Sequence, residues 1–163
     1  MTEQDKFIFE ILFRDAWGAA VSRSKGNTKH KPGINRNNCR QQVRNFCQIL
    51  VQNSSPITFV QHCNNVSTLE SYGLKTWAAQ KILSVIMKLY WSIGKMAKPE
   101  ICPLDRIVLH KGNKINENWT EINDIAKYKD LMSKVLAKHK NIAEWELKFW
   151  NDYIITSVFN NQG

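Results

Sequence analysis

Acidic residues are scarce in this chain: 14 aspartates and glutamates stand against 23 lysines and arginines, a formal net charge of +9 at pH 7. That imbalance favours a polyanionic partner, and nucleic acid is the commonest one. Long apolar runs free of charge are also missing, as are the cationic and apolar regions of a signal peptide. The expectation is a soluble, cytoplasmic chain with no membrane partner, nucleoid-associated in a bacterial cell. Only four cysteines occur, Cys39, Cys47, Cys63 and Cys102, and no two form a C-x-x-C pair. His62 beside Cys63 is not the ligand cluster that zinc requires, so no metal and no cofactor is expected, and the thiols read as reduced and partly buried. Low-complexity tracts and internal repeats are absent, and no segment alternates in the manner of a strand. What remains is a 163-residue chain, 43% hydrophobic with six tryptophans, long enough for one core. We read residues 1–163 as a single all-α domain of about seven to nine helices, monomeric and without an obligate protein partner.

Taken in order, Thr2 to Val21 reads as a first helix, with Thr2 and Asp5 at cap spacing and an apolar stripe through Phe9, Phe13 and Ala16. Trp17, near the end of the stripe, reads either as core packing or as a wall of a base pocket. A loop from Ser22 to Asn38 carries Arg23, Lys25, Lys29, Lys31 and Arg36 without one acid. It suits phosphate contacts or simple solvation. Asn38 is the expected cap of the next helix. Pro56 sits at a first-turn position of a short helix expected to end at Asn64 and Asn65, with a further helical piece over 68–71. After residue 109 a polar connection leads to a helix capped by Thr120 and running to Leu136, and a last helix covers 142–159.

The stretch from Ser71 to Leu109 organises the rest. Apolar residues at 78, 82, 85, 86, 89 and 93, with a second row at 79, 83, 86 and 90, make the helix Trp77–Ile93 apolar over most of its circumference, as a central helix is. Lys81 and Lys88 interrupt it. They are almost two turns apart and so point the same way, with Ser84 between them, and ammonium groups on a buried helix should open onto a cleft. Downstream, Pro103 turns Cys102 away from helix and Asp105 can cap the segment that follows. The helix supplies an amine and the segment after it a carboxylate.

The motif Gly73-Leu74-Lys75-Thr76 ahead of this helix, with Pro103-Leu104-Asp105 after it, resembles the helix-hairpin-helix DNA glycosylases. Gln80-Lys81, with Lys88 seven residues on, is most similar to their archaeal 8-oxoguanine glycosylase branch. Lys75 stands where the usual hairpin has its second glycine, and Trp77 where better-known branches carry the catalytic lysine. The resemblance covers about a quarter of the chain. It implies Lys81 as nucleophile, Asp105 as catalytic carboxylate, and contacts to a DNA phosphate from the backbone N–H groups of the hairpin at Tyr72, Gly73, Lys75 and Thr76; Lys88 and the loop residues Lys29 and Lys31 are further candidates for phosphate contact.

A glycosylase stabilises the cationic sugar that develops as the base departs, and a nearby carboxylate does this. An amine can attack the same carbon only when neutral, a state that desolvation on an apolar helix favours. The base must first leave the stack, which calls for an aromatic pocket. Trp17, Trp77 and Trp119, with Asn38, are the candidates. Both key residues also have plainer readings: Lys81 as a lysine extending its ammonium to solvent, Asp105 as a helix cap alone. The expected activity is excision of a modified base from double-stranded DNA, with or without strand cleavage by AP-lyase chemistry. The base is 8-oxoguanine in repair or, because the link from Lys81 to Asp105 is short and the pocket correspondingly open, glucosylated hydroxymethylcytosine of phage DNA in antiviral defence. Asn37, Asn38, Asn118 and Arg36 are the expected contacts for such a sugar. A non-catalytic module that binds double-stranded DNA, or a helical RNA-binding domain, are the competing classes.

Overall fold

The computed structural model describes residues 1–22, 29–53 and 55–159, with only the backbone of 157–159. Among the described residues six α-helices carry the fold: α1 Glu3–Trp17, α2 Arg36–Leu50, α3 Phe59–Ser71, α4 Thr76–Ser92, α5 Ile125–Leu136 and α6 Ile142–Phe159. Short π-helical turns follow at Gly18–Ser22 and Ile107–Gly112, and a 3₁₀ turn at Trp119–Glu121. The described residues contain no strand, only an isolated antiparallel bridge between His30 and Leu74. No helix among them is long and apolar enough to cross a membrane.

The helix α4 is the axis of the domain. Eleven of its seventeen residues are buried, and it packs against α1, α3 and α5 and against the turns after α1 and at Trp119. Its two apolar rows explain this: α1 takes one side and α3 with α5 another, so one continuous cluster of buried side chains runs from Phe9 to Ile142. All four cysteines are buried and free.

Local chemistry sets most helix starts. Thr2 and Asp5 form the expected reciprocal cap of α1. Three starts differ from expectation. Asn35, not Asn38, caps α2: its backbone is extended and its side chain accepts from the N–H groups of Asn37 and Asn38. The segment after Pro56 forms one helix rather than two pieces. Thr58 and Gln61 close a capping box, and burial of Cys63, Val66 and Leu69 carries the helix through Asn64 and Asn65. Asp124, not Thr120, caps α5, while Thr120 lies in the 3₁₀ turn capped by Asn118. At the other end of the first helix, the chain widens into a π-helical turn from Gly18 instead of continuing as α-helix to Val21.

Between α3 and α4 the chain turns at Gly73, whose φ of +106° places it in the left-handed region. A Cβ there would lie 2.7 Å from side-chain carbons of Ile34, so both backbone and space require glycine. The turn brings α4 into contact with α3.

His62 is fully buried on α3 against Tyr128, with neither ring nitrogen hydrogen-bonded. Desolvation lowers its pKa from 6.5 to about 3. The unfolded chain therefore binds a proton there between pH 6.5 and 3 that the folded chain does not, and stability is lost as pH falls through that window. Urea unfolding of His62→Leu between pH 7 and pH 4 should show a pH dependence shallower by about one proton than that of the parent chain. An unchanged slope would assign the acid sensitivity elsewhere.

Candidate active site

The side-chain amide of Gln80, fully buried on α4, joins that helix to the extended segment before Asp105. Its Oε1 accepts from the Leu104 N–H at 3.1 Å and its Nε2 donates to the Leu104 carbonyl at 2.8 Å. A glutamine thus takes the place of a neighbouring strand and satisfies both backbone groups of a residue sealed from water. Pro103 has no N–H to satisfy and holds the chain out of helix at this point. Asp105 follows at once. Its Oδ1 accepts from the Ile107 and Val108 N–H groups, both at 3.0 Å, while Oδ2 faces the Lys81 ammonium at 3.3 Å. The cap reading and the catalytic reading of Asp105 are therefore compatible, since each uses a different oxygen.

Lys81 and Asp105 are nearly enclosed, with side chains 13% and 9% exposed. Their separation exceeds the roughly 2.7–2.9 Å of a tight charge-assisted hydrogen bond, so the ammonium is held loosely. It also lies 4.5 Å from the centre of the Trp119 ring, which packs edge-on against Trp77. Both groups open onto a cavity of about 930 Å³, at the upper end of the range for small-molecule sites. Its walls come from α4, the 103–111 segment, Trp119 and α6, with Asp15 and Ala19 at one edge.

Lys88 lines the same cavity, as its spacing from Lys81 implies, but Val85 rather than Ser84 lies between them. Ser84 is turned into the core. The Lys88 ammonium is paired with Glu146 of α6 at 2.8 Å, so it is a structural cation of the cavity wall rather than a free phosphate contact. Burial raises the pKa of Glu146, and the positive charge of Lys88 opposes that rise. Trp150 and Tyr153 also line the cavity, beneath Lys88 and Lys111 at 5.6 and 4.8 Å. The sequence singles out neither Trp150 nor Glu146 as a site residue. The available signal was Glu146 itself, an acid at the spacing of the apolar face that carries Ile142 and Phe149.

The remaining candidates are placed differently. Trp77 is buried and reaches the cavity only through Trp119. Trp17 packs on Phe13 and His30 and lines another cleft, with Lys29 and Lys31, so the packing reading holds and it is no wall of the Lys81 cavity. Asn38 is exposed in the first turn of α2, away from Lys81. Arg36 and Asn37 line the Trp17 cleft, and the Asn118 side chain caps the Trp119 turn.

The hairpin and the basic loop, separate in the sequence reading, are joined here. The Lys31 N–H donates to the Gly73 carbonyl at 2.8 Å and the Lys75 N–H to the Lys29 carbonyl at 3.0 Å. The Gly73 and Leu74 N–H groups donate to Glu70 and Leu69 carbonyls, and the buried Thr76 hydroxyl to Glu70 at 2.5 Å. These amides are used within the chain, whereas the resemblance assigns the hairpin's N–H groups to a phosphate. Tyr72, half-buried, caps α3 and packs against Phe46. The Lys75 side chain remains partly exposed, and Arg23 and Lys25 lie outside the described residues.

No family model, curated protein or solved structure matches the chain.

Replacing Gln80 with leucine should leave the Leu104 N–H and carbonyl without partners, at a cost of about 2 kcal/mol or more. Thermal unfolding of Gln80→Leu should show this loss. Unfolding at the parent temperature would show that the clamp does not hold the Asp105 segment.

Proposed function

We propose that the chain is a DNA glycosylase that receives an extruded nucleotide in the 930 Å³ cavity and breaks its base–sugar bond with Lys81 and Asp105. The observation that carries this reading is the enclosed ammonium–carboxylate pair on an aromatic-walled cavity in a strongly basic chain. Trp119 and Trp150 offer faces to a planar base. Asp105, its other oxygen fixed by two backbone N–H groups, presents Oδ2 to the positive charge that grows on the sugar as the bond breaks.

The departing base takes the bonding electron pair and gains a proton from solvent. Two outcomes share that beginning. Water can add at C1′, passing its proton to Asp105, which leaves an abasic site. Alternatively the Lys81 ammonium passes a proton to Asp105, and the resulting amine bonds to C1′. The sugar ring then opens, O4′ is protonated, and C1′ is left as a protonated imine to nitrogen, the species that borohydride traps.

The size of the cavity favours a base larger than an ordinary one. The loop residues expected to bind a sugar do not line it, so hydroxyl contacts for glucosylated hydroxymethylcytosine would come from Asn151, His110 and Arg106. The basic side chains Lys29, Lys31 and Lys75 supply the approach to the phosphate backbone.

The test is alkali cleavage of DNA carrying a panel of modified bases, 8-oxoguanine and glucosylated hydroxymethylcytosine among them. Asp105→Asn should lower excision on the order of 10²-fold or more while DNA binding persists. Lys81→Gln should abolish any complex trapped by borohydride. Full excision by Asp105→Asn would end the mechanism. Binding without excision of any base would leave a non-catalytic DNA-binding module.

A further inference from the structure

On the far side of α1 from the Lys81 cavity lie two adjoining recesses, of about 530 and 610 Å³, that share Asn37 and Arg40 as walls. Arg14 lines the first of them, whereas Asp15 and Ala19 line the Lys81 cavity, so the thickness of one helix separates the two sites. Together the recesses form a groove between α1, α2 and the 29–36 segment. Its basic side chains are Arg14, Lys29, Lys31, Arg36, Arg40 and Arg44. The only acid among the described residues lining it is Glu10, which is paired with Arg44. The α2 helix has no acidic residue at all.

Charge alone would suit any polyanion, but the groove also carries planar surfaces. Phe7, 67% exposed, stands at one end. Arg40 is exposed, and its guanidinium carbon lies 5.6 Å from the centre of the Trp17 ring. At the other end lies His30, whose pKa is lowered by burial first and then by the neighbouring charges of Arg36 and Lys29. Phe7 is not alone at its own end, since Ile11, 40% exposed, lines the same recess. A folded duplex presents its bases edge-on inside the grooves and is too wide to enter a recess between two helices. A single strand offers both phosphates and open base faces.

We propose that this groove binds single-stranded DNA, with Phe7 and the Arg40 guanidinium as stacking platforms and Lys29, Lys31 and Arg36 along the sugar–phosphate backbone. Basic grooves lined by aromatic platforms bind single strands with little regard to sequence. The site is distinct from the Lys81 cavity and stands whether or not that cavity excises a base. Where it does, the groove gives the protein a hold on unpaired strand close to the nucleotide it extrudes.

Fluorescence anisotropy with a labelled 20-nucleotide oligo(dT) tests this, using the full chain at 50 and 150 mM salt. Phe7→Ala removes only an exposed ring, and Arg40→Lys keeps the charge while losing the planar face. Each should weaken binding about fivefold or more, as expected for one lost base stack. Lys81→Gln should bind as the parent does, which separates this site from the excision chemistry. Unlabelled oligo(dT) should displace the probe at far lower charge concentration than polyglutamate. Unchanged affinity in both Phe7→Ala and Arg40→Lys, or equal displacement by polyglutamate, would overturn the proposal.

Discussion

A single side-chain amide, that of Gln80, determines how two parts of the chain distant in sequence meet. Leu104 lies 24 residues further along, in an extended segment with no strand to pair with, and both its backbone groups are buried. An unpaired amide and carbonyl at that depth would cost several kcal/mol between them. Gln80 satisfies both from one helical position. The next residue on the helix is Lys81, and the next on the segment is Asp105. The separation of ammonium and carboxylate thus follows from a hydrogen-bonded frame one residue behind them, not from their own attraction.

Around that frame the cavity balances its charge in a particular way. Lys81, Lys88 and Lys111 each rest against an aromatic ring, Trp119, Trp150 and Tyr153 respectively. An aromatic face attracts a cation without removing its charge. Lys88 is the exception in commitment, because Glu146 behind it is fully buried and depends on that ammonium for compensation. The cavity therefore contains one loosely held pair at Lys81 and Asp105 and one tight pair at Lys88 and Glu146.

The turn at Gly73 has most of its backbone polar groups satisfied within the chain. Its backbone is knitted to residues 29–31, and its amides are spent on α3 and on that loop. The positive charge of this surface is carried by the side chains of Lys29, Lys31 and Lys75, next to those same bonds. The α2 helix extends the positive surface toward Phe7, away from the cavity.

Much of the helical architecture was legible locally. The all-α class, the central position of α4, the capping box at Thr2 and the glycine turn at 73 follow from period, cap chemistry and backbone freedom, all of which act within a few residues. The Lys81–Asp105 pairing was legible too, through motif resemblance and the placement of two charges on apolar surroundings. Where local signals were duplicated, tertiary packing chose among them: Asn35 over Asn38, Asp124 over Thr120, one helix through Asn64 and Asn65. The Gln80 clamp, the Glu146 partner of Lys88, the entry of Trp150 into the cavity and the joining of the basic loop to the hairpin were decided only in three dimensions. Each is a contact between residues far apart in the chain, made because a buried polar group or charge must find its partner wherever the fold brings one. No periodicity or local spacing records which one that will be.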